Sequence, residues 1–271
     1  MSLKFSEQLL ARLDRAHSVV AFTGAGVSAE SGVPTFRGTD GIWKKFKPED
    51  LANVNAFIKN PALVWEWYAH RKRIMANIEP NAGHRALVEM ERLFNRVSII
   101  TQNIDNLHRR AGSTRVFELH GSIERNYCIK CGARYTNEDV LNRIGVPACS
   151  QLRSSGATRG PCGGLIRPDV VWFGEMLPEE EWDGAVHAAE AADVFLCVGT
   201  SGVVYPAASI PQMAKKEGAF LVEINPETTS ITAIADEFLQ GPSGVILPAL
   251  CEQLIARRKE LTLQQKQTGG G

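Results

Sequence analysis

A glycine-rich turn follows directly on an apolar segment near the beginning of the chain. Residues 18–22, Ser-Val-Val-Ala-Phe, have the pattern of a buried parallel strand. Gly24, Gly26 and Ala29 then fit the G-x-G-x-x-G/A turn, in which the glycines permit a tight turn and a close approach of the backbone to a pyrophosphate. By itself this pattern also fits an ordinary turn between a strand and a helix. It therefore constrains the fold more than it constrains the ligand.

Strand-like and helix-like segments alternate over most of the sequence. Further strand patterns lie at residues 97–101, 116–119, 170–173, 194–198 and 220–224. Helical patterns lie at residues 1–16 and 61–77 and begin again at 81 and at 248, while residues 38–59 look polar and irregular. This alternation predicts an α/β fold with a Rossmann-like, doubly wound parallel sheet and a small second domain.

The alternation is interrupted at residues 122–166, which contain four cysteines among many polar residues. We therefore predict that residues 1–121 and 167–260 form the Rossmann-like domain, with a helical insert at about 38–78. Residues 122–166 are predicted to form a separate zinc-binding insert. The polar, glycine-ending tail at 261–271 is predicted to be disordered.

The cysteines of this insert have nearly the spacing of a zinc ribbon. Cys128 and Cys131 form a C-x-x-C pair, and Cys149 follows after 17 intervening residues, as expected. Cys162 comes 12 intervening residues later instead of two to four, so the second pair contains a loop. Such a loop costs about 1–2 kcal/mol of closure entropy, which is small against the ~10 kcal/mol or more of structural zinc binding. We predict one structural Zn²⁺ per chain on these cysteines; four unpaired thiols are the alternative.

Two polar strings follow predicted strands, at the position where α/β folds bind their ligands. Residues 101–108 read Thr-Gln-Asn-Ile-Asp-Asn-Leu-His, and residues 118–122 read Glu-Leu-His-Gly-Ser. His120 lies at such a strand end next to a glycine, although a lone histidine is more often a structural residue. Residues 40–45 look like a loop, so no second strand ends in the acidic residue that holds the adenosine ribose of a Rossmann oxidoreductase. Hydride transfer is therefore disfavoured.

Taken together, these motifs resemble those of the sirtuins, a family of NAD-dependent protein-lysine deacylases. The string from Gly24 to Arg37, Gly-Ala-Gly-Val-Ser-Ala-Glu-Ser-Gly-Val-Pro-Thr-Phe-Arg, resembles their NAD-binding signature. The resemblance covers about residues 15–250 and includes both polar strings and the segments 163–168, 171–175, 199–201 and 225–227. It implies NAD as the cofactor and an acyl-lysine protein or peptide as the substrate.

The resemblance also implies roles for individual residues. In sirtuins the acyl-lysine oxygen attacks the nicotinamide-bearing ribose carbon, which releases nicotinamide and forms an imidate joined to ADP-ribose. His120 is then implied as the general base of the following step, which leads to free lysine and O-acyl-ADP-ribose, while Asn103 and Asp105 orient the nicotinamide end. The other residues implied around NAD are Gly24, Ala25, Gly26, Glu30, Thr35, Phe36, Arg37, Gln102, Ile104, Gly199, Thr200, Ser201, Asn225 and Glu227.

One predicted helix bears on the identity of the acyl group. Tyr68 and Arg71 lie three residues apart, on one helical face, and this pair resembles the mark of the desuccinylase, demalonylase and deglutarylase branch, which has bacterial members. Arg71 would offer a planar fork, and Tyr68 a hydroxyl, to the distal carboxylate of the acyl chain. Ala52 matches the small residue that leaves room for a longer chain. The peptide is implied to add as an extended strand near residues 203–205, and the remaining implied substrate-binding residues are Val171, Phe173, Gly174 and Glu175.

Charge and hydropathy limit the expected partners. The 271 residues include 30 basic and 30 acidic side chains, so no overall field favours nucleic acid or an anionic membrane. No signal peptide or membrane-spanning run is apparent, and we expect a cytoplasmic, monomeric protein. Three alternatives stay open: a predominant deacetylase, a mono-ADP-ribosyltransferase, which needs no acyl pocket, and a zinc-ribbon binding module with a degenerate NAD fold.

Overall fold

The computed structural model describes residues 3–34, 51–152 and 160–268, with side chains as far as Gln264. Nine strands in this part of the chain form two sheets. The strands of the main sheet are β1 Ser18–Thr23, β2 Arg96–Thr101, β3 Val116–Glu118, β7 Val194–Val198, β8 Phe220–Asn225 and β9 Glu237–Gln240. The strands of the smaller, antiparallel sheet are β4 Gly121–Cys128, β5 Arg134–Thr136 and β6 Ile166–Val170, in the order β5-β4-β6.

The main sheet is parallel throughout and has the order β3-β2-β1-β7-β8-β9. This is the Rossmann order, in which the chain runs outward in one direction from β1 and then outward in the other from β7. All six residues of β1 are buried, because the strand has a neighbour on each side and helices on both faces. The crevice where the strand order reverses lies at the carboxyl ends of β1 and β7.

Helices cover both faces of the main sheet. Their bounds are α1 Glu7–Arg15, α2 Gly26–Ala29, α3 Val54–Lys59, α4 Pro61–Met75, α5 Ala82–Leu93, α6 Leu107–Ala111, α7 Asn137–Leu141, α8 Glu179–Glu190, α9 Ile210–Lys216 and α10 Ser243–Thr268. Helices α1, α5 and α10 pack on the face that carries Val19 and Ala21. Helices α8 and α9 pack on the face that carries Val20 and Phe22. Successive side chains of β1 therefore point to opposite faces and contribute to two separate cores, as in a three-layer α/β fold.

A smaller module is formed by α3, α4, α7 and the antiparallel sheet. Tyr68 on α4 packs in one apolar cluster with Phe57 and Trp172. Trp65 on the same helix packs in a second cluster with the cysteines of the predicted zinc insert. Helix α4 therefore joins the predicted helical insert to the predicted zinc insert, and the two form one layer beside the main sheet.

Several element boundaries differ from the sequence-based predictions. The strand expected at 170–173 lies instead at Ile166–Val170, where it pairs with β4, and the following residues leave the sheet. The stretch expected to be irregular includes α3, which begins after Asn53 because that side chain accepts a hydrogen bond from the Asn55 amide (2.8 Å).

The closing helix also differs from its prediction. Helix α10 begins at Ser243 rather than at Pro248, which lies inside it. It continues to Thr268, beyond the point where the sequence predicts the start of the disordered tail. Among the helices of the described residues, none combines the length and the apolar character that crossing a bilayer requires.

Candidate active site

A cavity of about 640 Å³ opens at the carboxyl ends of β1, β2, β7 and β8, facing the smaller module. This is the crevice in which doubly wound sheets bind their ligands. Residues from six separate sequence motifs, and from the helix that carries Tyr68, meet there. The residues of its wall that the sequence analysis singles out are Gly24, Ala25, Gly26, Ala52, Tyr68, Gln102, Asn103, Ile104, His120, Val171, Phe173, Gly174, Glu175, Gly199, Thr200, Ser201, Asn225 and Glu227.

The glycine turn after β1 packs directly on the turn after β7. The Gly26 amide donates to the carbonyl of Gly199 at 2.8 Å. A Cβ atom on Gly26 would lie 2.7 Å from the Gly199 Cα, and one on Gly24 would lie 2.8 Å from the Gly199 oxygen. Gly199 itself has a φ of +58°, which favours glycine. The glycines are thus required by the close approach of two backbone turns as well as by the space that a pyrophosphate needs.

Asn103 and Asp105 belong to a buried hydrogen-bond network beneath this turn. The Asn103 amide group donates to the Gly24 carbonyl (2.9 Å) and to the Ser28 hydroxyl (3.2 Å). Ser28 in turn donates to a carboxylate oxygen of Asp105 at 2.7 Å. Burial raises the pKa of Asp105 above its usual range, against the hydrogen bonds from Leu107 and Ser28. Asn103 lies in the cavity wall, whereas Asp105 lies behind it and supports the turn.

Two buried histidines complete this network; the sequence predicts no role for His84, and for His108 it shows only a place at the end of the polar string 101–108. His84 Nε2 lies 3.4 Å from the Ser28 hydroxyl, and His108 Nε2 lies 2.9 Å from the Thr23 hydroxyl. Burial lowers the pKa of His84 to about 4 and that of His108 well below its usual value, so both rings are neutral at pH 7. The only sequence signal for His84 is its place three residues after Asn81, where it forms a capping box at the start of α5.

His120 follows the end of β3, and one of its ring nitrogens forms a hydrogen bond with another residue of the cavity wall. Its Nδ1 lies 2.8 Å from the carbonyl oxygen of Gln102. Because a carbonyl only accepts, Nδ1 carries the proton and Nε2 keeps a lone pair. Burial lowers the pKa of His120 below its usual value, and the bond to Gln102 offsets part of that effect. The ring is therefore a neutral imidazole with one free basic nitrogen at pH 7, as a general base requires.

The far side of the cavity is held by a buried glutamate that the sequence analysis also does not identify. Glu223 on β8 is fully buried and accepts hydrogen bonds from the hydroxyls of Thr229 and Thr232. It thereby holds the loop after β8, which lines the cavity at residues 227–230. Asn225 donates to the Thr200 carbonyl at 2.9 Å and ties this loop to the turn after β7. The acidic side chain that supports this end of the crevice therefore comes from β8. In a Rossmann oxidoreductase the acidic residue of the crevice lies at the end of the second strand.

The predicted substrate segment after β6 is shaped by a buried ion pair. Arg167 is 3% exposed and contacts both carboxylate oxygens of Glu175, at 2.5 and 2.9 Å. Glu175 also accepts a hydrogen bond from the Trp172 amide at 2.7 Å. The intervening residues bend into the cavity wall, and Phe173 remains 47% exposed. Glu175 thus has a role in forming the segment in addition to the predicted contact with substrate.

Two further predicted residues, Glu30 and Arg71, lie outside the cavity wall. The Glu30 carboxylate accepts a hydrogen bond from the Gly244 amide (2.7 Å) at the beginning of α10, so it caps that helix and lies outside the cavity wall. Thr35, Phe36 and Arg37 lie outside the described residues.

The four cysteines of the insert converge. All four sulfur atoms lie within 4.8 Å of one another, with Cys128 and Cys162 at 3.8 Å and Cys131 and Cys149 at 3.5 Å. A tetrahedral zinc site with bonds of about 2.3 Å places its sulfurs ~3.8 Å apart. The donor set and its spacing therefore fit one structural Zn²⁺, which would hold the insert together outside the cavity wall that contains His120.

We expect the purified protein to contain one zinc per chain and the variant Cys128→Ser to lose it. Since the thiolates join three segments of the insert, metal loss should lower the melting temperature sharply. Elemental analysis and thermal denaturation measure both effects. Cys251→Ser serves as the matched control, because Cys251 is buried on α10 outside the cluster, and should keep its zinc. Wild-type protein without zinc, purified in the absence of chelators, would contradict the assignment.

These features define a class of protein: a doubly wound, dinucleotide-binding fold with a basic imidazole in its crevice and a cysteine-bound insert. Residues 24–206 match the model of the Sir2 family. The NAD-dependent protein deacylase 2 of Pyrobaculum aerophilum is 53% identical over 238 residues, which cover 88% of this chain and 91% of the relative. The NAD-dependent protein deacylase of Mycobacterium tuberculosis is 46% identical over 245 residues, 89% of this chain and 99% of the relative.

Comparison with solved structures gives the same family. A Sir2 homologue mutant in complex with ADP-ribose superposes with a TM-score of 0.87 at 45% identity, over 96% of this chain and 99% of that one. A Sir2 homologue–NAD complex has a TM-score of 0.85 at 44% identity, over 94% and 96%. The chain belongs to the Sir2 family, and it is a sirtuin of the NAD-dependent protein deacylase type. The predicted family and fold class are confirmed, and NAD and zinc are the cofactors that this site and the cysteine cluster fit.

Proposed function

We propose that this sirtuin removes succinyl and malonyl groups from protein lysines, together with the related glutaryl group, and acetyl groups more weakly. The products are nicotinamide, O-acyl-ADP-ribose and free lysine. The observation that supports the acyl preference is the pair Tyr68 and Arg71, which are both buried on one face of α4. Tyr68 and Ala52 both line the cavity, where the small side chain of Ala52 would leave space for an acyl chain, whereas Arg71 is buried on α4 just outside the cavity wall.

The electrostatics of Arg71 suit an acidic acyl group. The side chain is 7% exposed, and its guanidinium carbon lies 4.9 Å from the ring centre of Trp67. Burial lowers the pKa of Arg71, because a buried guanidinium loses part of the hydration that stabilises its charge. A carboxylate at the far end of the acyl chain would offset that desolvation through bidentate, charge-assisted hydrogen bonds worth about 1.5–3 kcal/mol each. An acetyl group has no such carboxylate.

The sirtuin resemblance assigns chemistry to the other residues, and their geometry supports those roles. NAD, when bound, supplies an electrophilic ribose carbon and nicotinamide as its leaving group. Asn103, fixed by Gly24 and Ser28, is placed to orient the cofactor at the carboxyl end of β2. His120, with its proton fixed on Nδ1, offers Nε2 to take a proton from a ribose hydroxyl. Ile104 and the segment after β6 contribute apolar side chains to the wall of this space.

The pH dependence of deacylation follows from the direction of the His120 shift. Because the pKa of His120 is lowered, its basic form predominates at pH 7 and is lost only as the pH falls below 6.5. We expect the acid limb of kcat/KM to have its midpoint below pH 6.5, with a plateau above it. An acid limb centred above pH 6.5 in a pH–rate profile would contradict this environment for the base.

The proposed acyl preference is tested by the wild-type protein on one peptide sequence carrying succinyl, malonyl, glutaryl or acetyl lysine. We expect the three acidic acyl groups to give a higher kcat/KM than acetyl. Equal or lower values would limit the activity to deacetylation. The extended peptide pairing near residues 203–205, the monomeric state, the cytoplasmic location and the absence of nucleic-acid and membrane partners stay predictions.

A further inference from the structure

The Tyr68 hydroxyl has a fixed partner on the segment after β6. The indole nitrogen of Trp172 donates to the Tyr68 oxygen at 2.8 Å, and both side chains are buried. An indole N–H is a donor only, so the Tyr68 oxygen must accept in this bond. A phenol has one hydrogen and can accept as well as donate. The hydroxyl hydrogen of Tyr68 is therefore not used by Trp172.

The indole is itself held rigidly. The guanidinium carbon of Arg167 lies 3.3 Å from the Trp172 ring centre, and Phe57 packs on the ring at 5.3 Å. The backbone amide of Trp172 is fixed by Glu175, which pairs with the same arginine. Rotation of the indole would break this stack. The direction from which Tyr68 receives its hydrogen bond is thus set by the segment after β6.

We propose that Trp172 is a positioning residue for acyl-chain recognition: its indole N–H occupies one lone pair of the Tyr68 oxygen and leaves the Tyr68 O–H as a donor to the acyl carboxylate. Two observations and one general property of hydroxyl groups support this. Within the described residues, no acceptor for the Tyr68 hydrogen is found. Tyr68 lies in the cavity wall three residues before Arg71. An O–H whose oxygen already accepts a hydrogen bond is also a stronger donor.

The inference rests on the proposed preference for acidic acyl groups and gives Trp172 a part in it. Burial raises the pKa of Tyr68 to about 12, so the phenol keeps its hydrogen throughout the working pH range. A phenolate at this place would repel the acyl carboxylate, whereas a phenol that donates would bind it. An acetyl group is neither repelled by a phenolate nor bound by a donating phenol, because it carries no distal carboxylate. The effect of Trp172 should therefore appear in the ratio of the two activities.

The test is a double-mutant cycle of Trp172→Phe, Tyr68→Phe and the double variant, each assayed on succinyl and acetyl versions of one peptide. Phenylalanine keeps an aromatic ring beneath Arg167 but has no N–H. We expect Trp172→Phe to lower the succinyl-to-acetyl ratio of kcat/KM about three- to tenfold, the value of one neutral hydrogen bond, mainly through KM. The double variant should match Tyr68→Phe, because no hydroxyl is left to position.

Trp182→Phe, on α8 and outside the cavity wall, is the matched control and should leave the ratio unchanged. An unchanged ratio in Trp172→Phe, or equal losses on both substrates, would overturn the proposal, since a structural role alone affects both activities. Independent, multiplying effects of the two single substitutions would also overturn it. If the wild type shows no succinyl preference, the proposed function fails instead, and that result is visible before any variant is made.

Discussion

Replacing His120 with asparagine is expected to lower kcat/KM for deacylation by about 10²–10⁴-fold, the usual contribution of a positioned general base. Asparagine keeps a side-chain N–H that can still donate to the Gln102 carbonyl, so the end of β3 should stay in place. It has no basic nitrogen to replace Nε2. Steady-state deacylation assays on one acylated peptide measure the loss, and NAD binding by calorimetry should change little because the turn after β1 is untouched.

A matched control for this variant is present on the protein surface. His187 on α8 also places Nδ1 against a backbone carbonyl, that of Asp183 at 2.7 Å, but it is exposed and outside the cavity wall. His187→Asn should retain wild-type activity. If His120→Asn keeps activity within about threefold of the wild type, His120 is not the general base, and the role that the sirtuin resemblance assigns to it is wrong.

Replacing Arg71 with methionine is expected to lower kcat/KM on a succinyl peptide by about ten- to hundredfold while acetyl removal changes little. That range corresponds to the ~1.5–3 kcal/mol of a charge-assisted hydrogen bond. Methionine keeps the apolar stem in its buried place, so the packing of α4 on the cavity is largely preserved. Parallel kinetics on the succinyl and acetyl forms of the same peptide separate a loss of recognition from a loss of folding.

Arg73 on the same helix is the control, because it is exposed. Arg73→Met should retain the wild-type preference. An unchanged succinyl rate in Arg71→Met would contradict the acyl-recognition argument and leave the deacylase activity itself intact. Equal loss on both substrates would instead assign Arg71 a purely structural role.

Much of the site was predictable from sequence because of where parallel strands end. The segments after β1, β2, β3 and β7 follow short apolar runs, and the observed β7 matches the predicted range 194–198. Polar residues at such ends meet at one edge of the sheet, so the sequence alone predicts that Gly24, Asn103 and His120 lie together, as they do in the cavity wall. The spacing of the four cysteines likewise predicted their cluster, in spite of the long loop between Cys149 and Cys162.

The parts that could not be predicted depend on tertiary packing. Residues 170–173 are apolar and look like a strand, yet β6 ends at Val170, because Arg167 turns inward to stack on Trp172 and pair with Glu175. Glu223 is an isolated polar residue within an apolar run, His84 stands beside Arg85 in the first turn of a helix, and no local signal shows that either side chain is buried. Glu30 lies next to the glycine motif in sequence, but its carboxylate is directed to the start of α10.

The most direct test of this account is to identify the products formed from NAD and a succinyl-lysine peptide. The account predicts free lysine peptide, nicotinamide and O-succinyl-ADP-ribose in a 1:1:1 ratio by mass spectrometry, and no nicotinamide release above background when the acylated peptide is omitted. Nicotinamide released without acylated peptide, with ADP-ribose attached to protein, would contradict it and support a mono-ADP-ribosyltransferase. Absence of nicotinamide with every acyl group tested would leave a binding module.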